Sequence, residues 1–262
     1  ISLNSNHTRS TPISINLVTP VTPISPGPPT ASSLIIPAVG HLDGSDARWR
    51  SDVRIANTSL NVSRYLVTFT PGNPAQGVKQ TSLEIGPGIT TALDDIVRAW
   101  YGIGSLGESS NGVLEVRPLN TGSNSTFKAD PPSVSLATVV TSRTYAQTQS
   151  GTLGEFIPGV LFSNFVGLAG SGQIQPILNL QQIAQNQAYR TNVGVVEASG
   201  EPVSVVLSIF NSAGDKLKDI PLGLKANEQR QLNSLLAENG IELADGRIEV
   251  KVTGGEGRVT AY

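Results

Sequence analysis

Trp49-Arg-Ser-Asp-Val-Arg-Ile-Ala-Asn-Thr-Ser59 returns, altered but legible, as Tyr189-Arg-Thr-Asn-Val-Gly-Val-Val-Glu-Ala-Ser199, at a constant offset of 140 residues. In both copies an aromatic residue, an arginine, a small hydroxyl residue and an Asp or Asn lead into alternating apolar positions. These are Val53 and Ile55 in the first copy, Val193 and Val195 in the second. Apolar residues at a period of two mark a strand with one buried face. A strand motif that recurs at fixed spacing marks a duplicated unit.

Working outward, Tyr65, Val67 and Phe69 alternate after the first copy, and Val203, Val205, Leu207 and Ile209 after the second. Turn residues follow each run, Pro71-Gly-Asn-Pro74 and Asn211-Ser-Ala-Gly214. Short strands are expected next at Ser82–Ile85 and Asp219–Leu222. A helix is then expected in each unit, capped by Thr91 and by Asn227 and stopped at Gly102 and Gly240. Leu93, Ile96, Val97 and Trp100 lie on its inner face in the first unit, Leu232, Leu235 and Leu236 in the second. Further strands are expected at Gly112–Arg117 and Gly246–Lys251, then at Leu136–Ala146 and Arg258–Tyr262.

Leu34-Ile-Ile-Pro-Ala-Val39 reads as the opening strand of the first unit and Glu155-Phe-Ile-Pro-Gly-Val160 as that of the second. That match, Pro37 with Pro158, leaves extra residues in the second unit before its motif strand, within which Ile177–Leu180 can form another strand. The resulting fold class is all-β: two tandem β-sandwich domains, Ig-like or jelly-roll-like, each with one short helix, behind an extended N-terminal tail. The expected boundaries are 1–33, 34–151 and 152–262.

Composition agrees with a turn-rich all-β chain. The 262 residues include 27 Gly and 17 Pro, only 15% are charged, and there is no Cys. No disulfide framework or thiolate metal site is therefore expected. A net charge of −2 with no basic stripe makes nucleic acid a poor partner, and no apolar run is long enough for a membrane span. The chain starts at Ile1 and has no Met, which points to processing after export or to trimming.

Residues 1–33 are rich in Ser, Thr, Asn and Pro, as in a leader or linker. Ile13, Ile15 and Leu17 nevertheless alternate with Ser14 and Asn16 at the period of a strand, and Val21 and Ile24 extend the apolar set. In the second unit, if Tyr262 matches Tyr145, the sheet lacks whatever pairing Ala146–Phe156 supplies in the first, which exposes an edge.

The Ile-Pro-Ala/Gly-Val opening, the aromatic-Arg-Ser/Thr-Asp/Asn-Val strand and the closing Thr-Tyr or Ala-Tyr strand resemble tandem β-sandwich repeats of secreted bacterial surface proteins, over residues 34–262. A strand-like tail joined to an open-edged sandwich is similar in organisation to donor-strand-linked fibril subunits. The resemblance implies an extracellular homopolymer in which Ile13, Ile15, Leu17, Val21 and Ile24 of one copy add a strand to the next. The alternative is a monomeric cell-surface adhesin or carbohydrate-binding module with the tail as a stalk.

Catalytic chemistry finds little support. His7 and His41 are the only histidines, too few for a multi-histidine metal site and poorly placed for a triad. Gly102-Ile-Gly-Ser-Leu-Gly107 spells G-x-G-x-x-G but follows a helix, so it reads as a helix stop and loop. Asp43-Gly-Ser-Asp46 offers two carboxylates, a plain loop or a sparse Ca²⁺ site. Asp94 and Asp95 suit a helix N-terminus. No enzyme activity and no cofactor are expected. Arg50 and Arg190 are equivalent, as are Asp52 and Asn192. Their expected role is structural, the guanidinium bonding loop carbonyls or the neighbouring carboxylate or carboxamide. Trp49, Trp100 and Tyr101 serve a core or interface, or a sugar-stacking platform. Candidate glycosylation sites are Asn6, Asn57, Asn61 and Asn124, with Thr-Pro pairs at Thr11, Thr19 and Thr22 as O-glycan candidates.

Overall fold

The computed structural model describes residues 27–43, 48–105, 108–119, 137–148 and 151–262. The chain is mostly β-strand in antiparallel sheets. In order it forms β1 (Leu34–Asp43), β2 (Arg48–Asn57), β3 (Ser63–Pro71), β4 (Lys79–Ile85), β5 (Thr90–Leu93), α1 (Ile96–Tyr101), β6 (Ser110–Leu119), β7 (Thr138–Thr148) and β8 (Gly151–Pro158). It continues with β9 (Val160–Leu161), β10 (Ile177–Gln181), β11 (Val193–Glu197), β12 (Val203–Asn211), β13 (Lys216–Leu224), β14 (Gln229–Leu232), α2 (Leu235–Glu238), β15 (Gly246–Gly255) and β16 (Val259–Ala261).

The first sheet runs β4-β3-β6-β1-β2-β7-β8, with β5 added to β2 and β9 to β1. Strand β1 holds it together because it pairs with β6 from Leu34 to His41 and with β2 from His41 to Asp43, with a register shift between Ile36 and Val39. Pro37 lies in that shift, where a residue without an N–H interrupts no ladder bond. Later in the chain the same order recurs as two separate sheets, β13-β12-β15-β10 and β14-β11-β16. They separate because the chain between β10 and β11 does not bridge them: Gln182 turns to φ +59° and residues 186–192 form no strand.

Each period-two run buries one side. Tyr65, Val67 and Phe69 enter a cluster with Ile36, Val53, Ile55, Leu114 and Val140. Val205, Leu207 and Ile209 enter a second cluster with Val193, Val195, Ile248 and Val250. On β1, β6 and β11 the alternate residues are buried as well. Ile35, Val113 and Val196 meet Phe162, Phe165 and Ala198 in a third cluster, which joins the two parts of the chain. Burial on both faces is why β11 is apolar or shielded at every position.

Three expectations are corrected. Thr91 and Asn227 cap no helix. Thr90–Leu93 pairs with β2 as β5, Gln229–Leu232 pairs with β11 as β14, and the helices shrink to α1 and α2. β-branched Thr90 and Thr91 suit a strand, and the ladder to Ile55 and Ala56 outweighs a helical period carried by few residues. Second, Glu155–Val160 does not open the later sheets. β8 pairs with β7 along its whole length, and β9 pairs with Leu34 and Ile35 of β1, so residues 151–161 belong to the first sheet by hydrogen bonding, across the expected boundary at 151/152. The register counterpart of β1 is β10: Leu34 faces Val116 and Ile36 faces Leu114, while Leu178 faces Val250 and Leu180 faces Ile248. Third, Tyr262 does not match Tyr145. Its partner is Gly194, and the pairs Ile55–Val140 and Val195–Ala261 place Tyr262 level with Thr141.

Candidate assembly edge

The repeated motif proves to position the helices. The Asp52 carboxylate accepts the backbone N–H of Asp95 at 2.9 Å, and the Asn192 side-chain oxygen accepts the N–H of Ser234 at 3.0 Å. Asp95 and Ser234 are left-handed, φ +46° and +49°, immediately before α1 and α2. An L-residue in that conformation needs local support, and the same acceptor from the same strand position supplies it twice. The arginines behave differently from the expectation. Arg50 places its guanidinium 6.0 Å from the Tyr145 ring centre, with Arg143 at 4.6 Å, and its buried Nε bonds to nothing. The Tyr145 hydroxyl is pushed above its ordinary range by burial first and then by the Asp52 carboxylate. Tyr189 is 66% exposed, and it and Arg190 lie outside any strand, so only Asn192 retains the motif's role there.

Trp49 is half-buried opposite Ala146, Trp100 packs on the first cluster, and Tyr101 is buried with its hydroxyl donating to the Val67 carbonyl and its ring stacked on Phe69. Among the described residues no ring contact joins the three to one another. His41 is buried with Nδ1 2.8 Å from Asp95 Oδ1, and Gly104 passes against its ring. Asp43 lies 3.4 Å from Arg48 Nε, and the exposed Asp94 pairs with Arg54. Among the described residues no group of three or more His, Asp or Glu is placed to hold a metal ion, and no helix is long and apolar enough to cross a membrane.

Of the candidate glycosylation sites, Asn6 and Asn124 lie outside the described residues, as do His7 and the tail positions Ile13, Ile15, Leu17, Val21 and Ile24. Asn61 is exposed. Asn57 is buried in the folded chain. It is 1% exposed, its Nδ2 donates to the carbonyls of Asn61, Ile85 and Gly86 at 2.8–3.1 Å, and its Oδ1 accepts from Ser59. At the equivalent strand end the buried Glu197 carboxylate accepts the N–H groups of Ser199, Gly200 and Asn227. Sequence reading missed this pair because an N-x-S tripeptide and a Glu share no letter; the signal was their common place two residues before a serine.

The two parts of the chain meet over a cavity of about 280 Å³ whose lining includes Glu115, Glu197 and the tail residues Gly27 to Pro29. Both carboxylates are already satisfied. Arg117 donates Nε to Glu115 Oε1 at 2.7 Å and Nη2 to Oε2 at 3.1 Å, and Ser33 donates to Oε1 at 2.6 Å. The same Nη2 holds the carbonyls of Gly27 and Pro28, which fixes where the tail leaves the body. Nearby, Asn111 donates to Gln229, and Gln229 to the Tyr262 hydroxyl at 2.6 Å. Arg258 donates to the Phe165 carbonyl and lies 5.3 Å from the Phe162 ring centre.

The sheet edges are unequally guarded. β13 carries Lys216, Lys218 and Pro221, which discourage pairing along its outer side. β7 is covered by β8. On β16 the arrangement is open. Gly194 and Tyr262 exchange both backbone bonds, so the N–H and C=O of Ala261, one residue away, point off the sheet. Among the described residues only Val166, bridged to Val259, pairs with that outer side. No family model, characterised protein or solved structure matches the chain.

Proposed function

We propose that the protein is a structural subunit of an extracellular, cell-surface homopolymer, built from two tandem β-sandwich units and joined head-to-tail by the N-terminal strand. The tandem reading is supported by the recurrent pairing order, β4-β3-β6-β1 and β13-β12-β15-β10, and by the Asp52/Asn192 caps. The observation that carries the assembly is the inequality of β7 and β16: β8 covers the first along its length, whereas the outer side of the second meets only Val166. A bare edge with unpaired N–H and C=O groups invites another strand, and an alternating apolar segment is the kind of strand that adds to one. Because donor and acceptor occupy different places, the contact is heterologous and propagates as an open helix.

Negative-stain microscopy of the intact chain, and of a variant lacking residues 1–24, tests this. The intact chain is expected to form ordered filaments and the truncated one to stay monomeric with its fold unchanged. An intact chain that remains monomeric at high concentration, or a truncated chain that still polymerises, overturns the reading and favours the adhesin or carbohydrate-binding alternative.

A further inference from the structure

Three apolar positions of the first sheet are fully covered, while their register counterparts are not. Leu34, Ile36 and Val140 are 6%, 0% and 2% exposed. Leu178, Leu180 and Ala261, which occupy the same places against Val250, Ile248 and Val195, are each only half-buried. The difference has a visible cause. In the first sheet the β8–β9 segment lies over these positions: Gly159 sits so close that a Cβ there would be 3.1 Å from Val140 Cβ and 3.5 Å from Leu34 Cβ. On either side of it Ile157 is buried in the same cluster and Leu161 pairs with Leu34. Beside Leu178, Leu180 and Ala261 the described chain places Val166, bridged to Val259 and packed on the same cluster, and no strand follows it over residues 167–176.

We infer that the gap between β10 and β16 is the acceptor groove, and that its occupant is Ile13–Ile24 of a second copy, laid antiparallel to β16 where β8–β9 lies on β7. This rests on the homopolymer reading and adds to it the edge, the direction and the side chains. The chain carries 26 residues ahead of the described body, and among them Ile13, Ile15 and Leu17 alternate with polar residues. One face of such a strand meets Leu178, Leu180 and Ala261, and the other faces water. Its backbone meets the outward N–H and C=O of Ala261, as Gly159 donates to the Val140 carbonyl at 2.8 Å in the first sheet. Pro26, Pro28 and Pro29 fall between Ile24 and the body, a composition that favours a stiff spacer between strand and body.

The absence of cysteine makes disulfide trapping unambiguous, since only adjacent strands bring two introduced thiols within bonding range. One preparation carries a single tail substitution, Ile13→Cys, Ile15→Cys or Leu17→Cys. A second carries Ala261→Cys or Leu178→Cys, and control preparations carry Leu153→Cys on β8 or Leu217→Cys on β13. Mixed and oxidised, the tail thiols are expected to link to residues 261 and 178 and not to 153 or 217. Filaments whose tail thiols link to 153 or 217, or to none of the four, overturn the groove while leaving the polymer. A chain carrying both Leu17→Cys and Ala261→Cys that closes a disulfide within a monomer overturns the second copy as occupant. If the unsubstituted chain forms no filaments, the homopolymer reading fails and the groove fails with it.

Discussion

The carboxylate of Asp52 on β2 accepts the backbone N–H of Asp95 at the start of α1, and Asn192 on β11 does the same for Ser234 ahead of α2. One side-chain oxygen from a strand thus holds a left-handed residue in place in each part of the chain. Since the charge differs between the two copies and the bond does not, the bond is what matters. Asp52→Ala is expected to lower stability by about 1 kcal/mol, the cost of leaving a partly buried donor without its partner. Asp52→Asn should cost clearly less. Denaturant unfolding of the three chains checks both.

Tyr262 lies across Gly194, and a Cβ at residue 194 would overlap the tyrosine ring. The ring covers the bare glycine backbone of the opposite strand while its hydroxyl accepts from Gln229, which in turn accepts from Asn111 of the other part of the chain. Gly194→Ala is expected to destabilise by about 1–3 kcal/mol through overpacking. Combined with Tyr262→Ala, which empties the space, the two losses should sum to less than their separate values in a double-mutant cycle.

Burial raises the Tyr262 hydroxyl from its ordinary 10.0 to about 12, with the Glu155 carboxylate adding to the rise and the Gln229 hydrogen bond opposing it. Burial raises Tyr101 as well. A group whose folded pKa lies above its unfolded one favours folding fully below the unfolded value, and that contribution is lost as pH climbs toward the folded one. Stability should therefore fall between about pH 10 and 12, and Tyr262→Phe should soften that fall. Unfolding curves across this range, with tyrosinate absorbance as a second readout, decide it.

Glycan transfer to the purified, folded protein, mapped by mass spectrometry, should leave Asn57 unmodified, because its Nδ2 is committed to three carbonyls. Asn57→Ala should destabilise by about 1–3 kcal/mol through the orphaned groups, whereas Asn61→Ala on the exposed turn should change stability little.

Period-two patterning was legible in the residues themselves, since Tyr65, Val67, Phe69, Val205, Leu207 and Ile209 show it and are all buried. The recurrence of Trp49–Ser59 at residues 189–199 located β2 and β11 correctly, because the Asp or Asn cap and the strand it belongs to travel together. The opening strand was misread for a physical reason. Ile157-Pro158 looks like Ile36-Pro37, yet a strand's partner is decided by which edge lies open, and β7 offered that edge. Ile177–Leu180 carries no Pro and looks like an insert, but its alternate leucines fit the place beside β15. Helix lengths failed in the same way, since a few apolar positions at helical spacing cannot outweigh ladder bonds to β2 or β11. An open edge in the second unit was legible, but the half-burial of Leu178, Leu180 and Ala261 was not, because it emerges only when their registers are compared with those of Leu34, Ile36 and Val140.

Electron cryo-microscopy of the assembled filament is the most direct test. Density for Ile13–Ile24 of one subunit is expected between β10 and β16 of the next, running antiparallel to β16 over Leu178, Leu180 and Ala261. Density placing that segment on its own body or along β8, or a filament held by body contacts with the β10–β16 gap empty, contradicts the account.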